Sequence, residues 1–238
     1  ALGIPRERRF FERFVSPPAG TVDAFHAAFI QALQAFRDNK FDDAAKRAEA
    51  LRSAHPDQLG PINLLAAVYL STGQWPKART ELEVVLQRQP DDSIARINLA
   101  KLELHERNFQ RVKALVSPLV QQSPAAEAPA LLLVAAEHGL QNDAAADQVL
   151  EELLKNNPSA ALGRALLAGR ALRGNKPERT LEYLAQFDKA RMESSPALLE
   201  LRGRAHLDLG QHAEALGNFE RWAKLTPASG TAHFLRAE

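Results

Sequence analysis

Four prolines fix the ground plan of this chain: Pro56, Pro90, Pro124 and Pro158 stand 34 residues apart, each closing an amphipathic run. A constant period of that length marks a stack of like units, each burying its apolar face only against its neighbours. Proline lacks a backbone donor and disfavours helix in the residue before it, so its recurrence marks the same helix end in every unit. Pro227 closes a further unit. The unit is plainest from Leu59 to Pro90, LGPINLLAAVYLSTGQWPKARTELEVVLQRQP, where two amphipathic runs are parted by a turn at Gly73.

Internal landmarks keep the same period. NKFDDAA places Phe41 and Ala44, GQWPKA places Trp75 and Ala78, and RNFQRV places Phe109 and Val112. QNDAAA supplies Ala146, GNKPERT supplies Pro177 and Thr180, and GQHAEA supplies His212 and Ala215. A helical hairpin demands this pattern: a small residue where its two helices cross closely, and a larger one to fill the gap beside the turn.

Composition narrows the class. The 45% hydrophobic and 25% charged content is enough to fold and too balanced for disorder. A formal charge of +1 argues against broad electrostatic binding of nucleic acid, although a local basic patch stays open. With no cysteine there are no disulfides, thiolate nucleophiles or Cys-based metal sites. No apolar run approaches the roughly 18 residues of a membrane span.

The period, the small residues early in the first helices (Ala66, Ala100, Ala168 and Gly203), the turn glycines Gly73 and Gly210, the alanine at the second crossing and the closing proline resemble the tetratricopeptide repeat. The resemblance covers residues 22–238. It implies an all-α, right-handed α-solenoid of about six helical hairpins plus a truncated seventh first helix. Unit boundaries fall at about 22–56, 57–90, 91–124, 125–158, 159–193, 194–227 and 228–238, with the KARMESS link of the longer fifth unit the least regular place. Departures from the family pattern are Val112 and Thr180 at the second crossing, and Glu137 and Ala171 where an aromatic such as Tyr69 is usual. Residues 1–21 precede the array as a flexible leader in which Arg6, Arg8, Arg9 and Arg13 alternate with Phe10, Phe11 and Phe14. The leader reads either as a mobile or packed segment, or as a docking peptide for a membrane surface or a neighbouring groove. The start without Met and the apolar Phe234 and Leu235 at the close predict a longer natural protein.

In the family, first helices line the concave wall, and function is expected there. The resemblance places Phe29, Leu33, Phe36, Asn63, Ala67, Leu70, Ile94, Ile97, Lys101, Leu104, Leu131, His138 and Arg204 on that wall, with Ala135, Ala165, Gly169, Leu172 and Glu200 beside them. So apolar a row is either covered by neighbouring helices or the leader, or it is a groove for an extended or helical partner segment, with Asn63, Lys101 and Arg204 offering polar contacts. The family's clamp for a terminal carboxylate is matched only by Asn63 and Lys101, so a chaperone-tail receptor is not expected. Arg164, Arg170, Arg173 and Arg202, with Arg204, form a candidate basic strip for acidic protein, anionic polysaccharide or lipid; equally, they are solvated positions paired with Glu178, Glu182 or Glu200.

No catalytic pattern emerges. GRALRGNK lacks the Lys-Ser/Thr ending of a phosphate loop, His206 and His212 have no metal-spaced carboxylate, and the GxSxG elbow is absent. The expectation is a non-catalytic interaction scaffold without cofactor or metal, for a protein or peptide partner, with no nucleic acid and with peripheral membrane association left open. The texture of INLLAAVYLSTGQWPKARTELEVVLQRQPDDSIARINLAKLEL is similar to bacterial lipoproteins of the PEP-CTERM/exosortase and exopolysaccharide systems, which implies a periplasmic or envelope setting, with the cytoplasm as alternative. The other classes are an anionic polysaccharide or lipid binder and an accessory region of a larger enzyme. The crossing assignment gives the first prediction: Ala78→Leu overpacks the second unit and lowers unfolding stability by about 1–3 kcal/mol, measured by denaturant titration.

Overall fold

The structure, a computed structural model, describes residues 24–231 and residue 235. The leader of residues 1–21 and Phe234 lie outside the described residues. The described chain is all-α. Its helices are α1 (Ala24–Arg37), α2 (Phe41–Ala54), α3 (Leu59–Ser71), α4 (Trp75–Arg88), α5 (Ser93–His105), α6 (Phe109–Gln122) and α7 (Glu127–Gly139), followed by α8 (Asp143–Asn156), α9 (Ala161–Arg173), α10 (Pro177–Leu184), α11 (Lys189–Ser194), α12 (Pro196–Asp208) and α13 (His212–Leu225).

One turn geometry recurs at every hairpin. The residues Asn39, Gly73, Arg107, Gln141, Asn175 and Gly210 all take φ between 55° and 72°, and they keep the repeat register. The N–H of the following residue then reaches the carbonyl five positions back, from Lys40 to Ala35, Gln74 to Tyr69, Asn108 to Glu103, Asn142 to Glu137, Lys176 to Ala171 and Gln211 to His206, at 2.8–2.9 Å. This 6→1 bond satisfies an orphan carbonyl at the end of the first helix and reverses the chain into the second. Gly73 and Gly210 take the left-handed conformation freely, whereas Arg107 and Gln141 carry a Cβ that opposes it.

The second crossing is closed by Ala44, Ala78, Val112, Ala146, Thr180 and Ala215, all buried. At one register of the first helices stand Ala32, Ala66, Ala100, Val134, Ala168 and Gly203, all buried as well. Thr180 fits because its hydroxyl donates to the Ala168 carbonyl at 3.2 Å and to the Lys176 carbonyl at 3.2 Å, so its polar atom is satisfied inside the contact.

The chain divides into two compact units, one ending at Val116 and the other beginning at Ser117, within the proline-containing helix α6. The first unit's main core joins Phe29, Ala32 and Leu33 of α1, Ala44, Ala48 and Leu51 of α2, and Leu64, Leu65 and Val68 of α3. A second cluster joins α3, α4 and α5 through Ile62, Leu82, Val85 and Leu99. In the second unit the core passes from hairpin to hairpin. Val134, Ala146, Leu150 and Leu167 join α7, α8 and α9; Ala168, Leu184, Met192 and Leu198 join α9 to α12; Leu199, Phe219 and Trp222 join α12 to α13. Each unit is thus built from small clusters shared by neighbours, as a repeat array requires.

The fifth hairpin departs from the others. Its second helix stops at Leu184, after 8 residues, and the chain restarts in the short helix α11, where Asp188 caps the Arg191 N–H at 2.8 Å.

Close approach decides which glycines are irreplaceable. A Cβ on Gly203 would meet three ring atoms of Phe219 within 3.0 Å, whereas one on Gly217 would meet nothing. Gly203→Ala therefore lowers stability by about 1–3 kcal/mol through overpacking, and Gly217→Ala raises it by about 0.5–1 kcal/mol through helix propensity; chemical denaturation of both variants checks the contrast.

Candidate protein-interaction surface

The first helices of the unit ending at Val116 place most of the expected wall residues together at partial exposure. Phe36 on α1, Ala67 and Leu70 on α3, and Ile94, Ile97, Lys101 and Leu104 on α5 are all half-buried. Phe36 meets Phe41 edge-on at 5.6 Å, and Leu70 and Ile94 pack on the core beneath. Two expected wall residues are corrected. Phe29 and Leu33 are buried in the core, because the Phe29 ring lies over Gly60 of α3, in space that any Cβ there would occupy.

Asn63 is a different case. It is 3% exposed, and its Oδ1 is the only buried side-chain polar atom without a hydrogen-bond partner among the described residues. Leaving such an acceptor unmet costs about 1–3 kcal/mol.

In the second unit, Leu131 on α7 is half-buried against the Val134 cluster. His138 is exposed, with its Nδ1 2.9 Å from Asp143 Oδ1, and hydrogen bonds from His138 and Arg170 hold the Asp143 carboxyl below its ordinary pKa. The strip of arginines is largely paired. Arg170 donates to Asp147 and to Asp143, Arg204 to Glu200 at 3.0 Å, and Arg164 to the Pro158 carbonyl. Arg173 is exposed, and Arg202 turns toward Asn218, to which its Nε donates at 2.6 Å. The arginines thus have different partners. Sequence reasoning missed Leu162 and Leu166, 55% and 38% exposed on α9, because a leucine-rich first helix gives no sign of which leucines its neighbours leave open.

Two family models, both described as tetratricopeptide repeat, match residues 35–102 and residues 166–230 and 200–238, together more than half of the chain. This chain belongs to the tetratricopeptide repeat family. Solved structures agree in fold. PilF of Pseudomonas aeruginosa is 15% identical, with 90% of this chain and 97% of that one covered and a TM-score of 0.77. PilW, described as a widely conserved type IV pilus biogenesis factor, is 16% identical, with 90% and 99% covered and a TM-score of 0.73. A tetratricopeptide repeat protein from Parabacteroides merdae is 16% identical, with 90% and 83% covered and a TM-score of 0.60. No protein of curated function matches the chain in sequence.

In this tetratricopeptide repeat protein α5 carries Glu103 at the register of Tyr69. Glu103 is fully buried, accepts hydrogen bonds from Arg79 and from Asn108 Nδ2 at 2.8 Å, and forms an ion pair with Arg111 Nε at 2.9 Å. Burial alone would raise its pKa, but the hydrogen bonds from Arg79 and Asn108 and the charges of Arg79 and Arg111 outweigh it and hold the carboxyl below the ordinary value. Glu137 repeats the device at the next turn, where Asn142 Nδ2 donates to it at 3.0 Å. A depressed carboxyl contributes stability that is complete above its unfolded pKa of about 4.3 and is lost as pH falls through the lower folded value. Thermal unfolding followed between pH 6 and pH 3, both approximate limits around that value, is expected to show a steeper acid loss for the native protein than for Glu103→Gln.

Proposed function

We propose that this protein is a non-catalytic scaffold whose first-helix wall, in the unit ending at Val116, grips an extended or helical segment of a partner protein. The observation that carries this reading is Asn63, a buried amide with an unmet acceptor on the same helix as half-buried Ala67 and Leu70. A partner N–H that reaches Asn63 Oδ1 after a small rotation of the side chain removes the cost of leaving it unpaired. Ala67, Leu70, Ile94 and Ile97 offer apolar surface to the same segment, and Lys101 sets charge at its edge.

The fold itself favours this class. Tetratricopeptide repeats generally serve as surfaces for protein or peptide partners, and among the described residues no group of His, Asp and Glu is arranged to hold a metal ion. For the setting we favour the bacterial envelope, in the assembly or sorting of surface material. Support comes from the textural resemblance to envelope lipoproteins and from a fold shared with a structure described as a pilus biogenesis factor. The pairing of Arg170 and Arg204 with carboxylates favours the wall over an arginine strip for anionic polysaccharide or lipid.

The test is co-purification of partner from native extract with wall and strip variants, each checked for an unchanged helical spectrum. Asn63→Leu and Ile97→Glu are expected to weaken recovery at least tenfold, about 1.4 kcal/mol. Arg173→Ala and Arg204→Ala are expected to leave it intact. Loss with the arginine variants alone, together with a steep decline in salt, overturns the wall reading.

A further inference from the structure

A helix break and a half-buried cation coincide where the fifth unit meets the sixth. The second to fifth units place Leu65, Leu99, Leu133 and Leu167 at one register, none more than 6% exposed, and the sixth unit places Arg202 there. Opposite it, α10 ends after 8 residues, where the second helices of the other units run for 14. Between α10, α11, α12 and α13 lies a cavity of about 360 Å³ with an apolar lining of Leu184, Phe187 and Met192 and a cationic one of Lys189, Arg202 and Arg221.

The guanidinium of Arg202 is held in place without being neutralised. Its Nε donates to the Oδ1 of buried Asn218, whose own amide donates to the Glu214 carbonyl at 2.7 Å. Arg202 makes no ion pair among the described residues. The one carboxylate at the cavity, Glu193, is taken up by Arg221 at 3.4 Å and Lys189 at 4.0 Å. Three cations therefore share one anion. Burial, with the charge of Arg221, pushes the Arg202 pKa down, and the shared carboxylate of Glu193 offsets this only in part. Arginine's Nε is fixed by Asn218, which leaves its Nη edge for a planar oxyanion, the geometry a guanidinium recognises best.

We propose that this cavity receives an acidic side chain of a partner protein, its carboxylate on the Nη edge of Arg202 beside Arg221 and an adjoining apolar side chain on Phe187 and Met192. A free inorganic anion would answer the charge and leave the apolar half of the lining unused, whereas an acidic residue next to an aromatic or aliphatic one uses both. The site draws on α10 to α13 and is independent of the wall around Asn63.

The ¹⁵N-labelled full chain tests this, read at the Nε–Hε resonances of Arg202 and Arg221 during titration with N-acetyl-Phe-Glu-Leu-amide. A saturable shift is expected, at least tenfold weaker with N-acetyl-Phe-Gln-Leu-amide. Arg202→Leu restores the leucine of the other units but leaves Asn218 Oδ1 without its donor, so it is checked for an unchanged helical spectrum and is expected to abolish the response at Arg221. Arg221→Gln is expected to weaken binding severalfold, and Ile97→Glu to leave it unchanged, which separates this site from the wall. The proposal is overturned by equal response to both peptides, by binding that survives Arg202→Leu, by saturation with inorganic phosphate and none with the Glu peptide, or by no saturable shift with any probe.

Discussion

The rest of the structure depends on the two helices of each hairpin packing closely through small buried side chains. Ala44, Ala78, Ala146 and Ala215 on the second helices are buried, as are Ala32, Ala66, Ala100, Ala168 and Gly203 on the first, and small side chains of this kind allow two helices a close approach. The left-handed turn residue and its 6→1 bond aim the second helix at that contact, so turn and crossing act as one device. Because each hairpin then shares its remaining apolar surface with the next, stability is passed along by neighbours and no central core is needed.

Against that regular frame, the polar residues at core registers carry the individuality. Glu103 and Glu137 occupy the aromatic register of Tyr69, and each is satisfied by an asparagine five residues later across the turn. Such buried groups are tolerated only when their hydrogen bonds are met. Thr180 meets the same demand through the Ala168 carbonyl. Asn63 and Arg202 stand apart, since one has an unmet acceptor and the other is a half-buried cation that shares a single carboxylate, Glu193, with Lys189 and Arg221.

The repeat was legible because its signals are local. The small crossing residues, the turn glycines and the closing prolines recur at a fixed interval, and the residues predicted at the second crossing are the buried ones, including the atypical Val112 and Thr180. The wall was legible only in part. Ile97, Lys101 and Leu104 are half-exposed as the register implies, but Phe29 and Leu33 are buried, because their exposure depends on Gly60 in the next hairpin and not on their own helix. The pairing of Arg170 was not legible for the same reason: it finds Asp143 and Asp147 on α8, partners more than twenty residues away that no pattern within its helix announces.

By itself, then, the sequence determined the class of fold, the helix ends and the identity of the crossing residues, since these follow from backbone donors, turn conformation and side-chain size counted along one chain. Tertiary structure decided which polar groups are satisfied and which are left waiting. It brought Arg79, Arg111 and Asn108 to Glu103 and left Asn63 without a donor. It also opened a cationic cavity where α10 stops short of Arg202. Hydrogen-bond satisfaction and desolvation are properties of the surroundings that neighbouring helices create, so they come into being only when the hairpins stack.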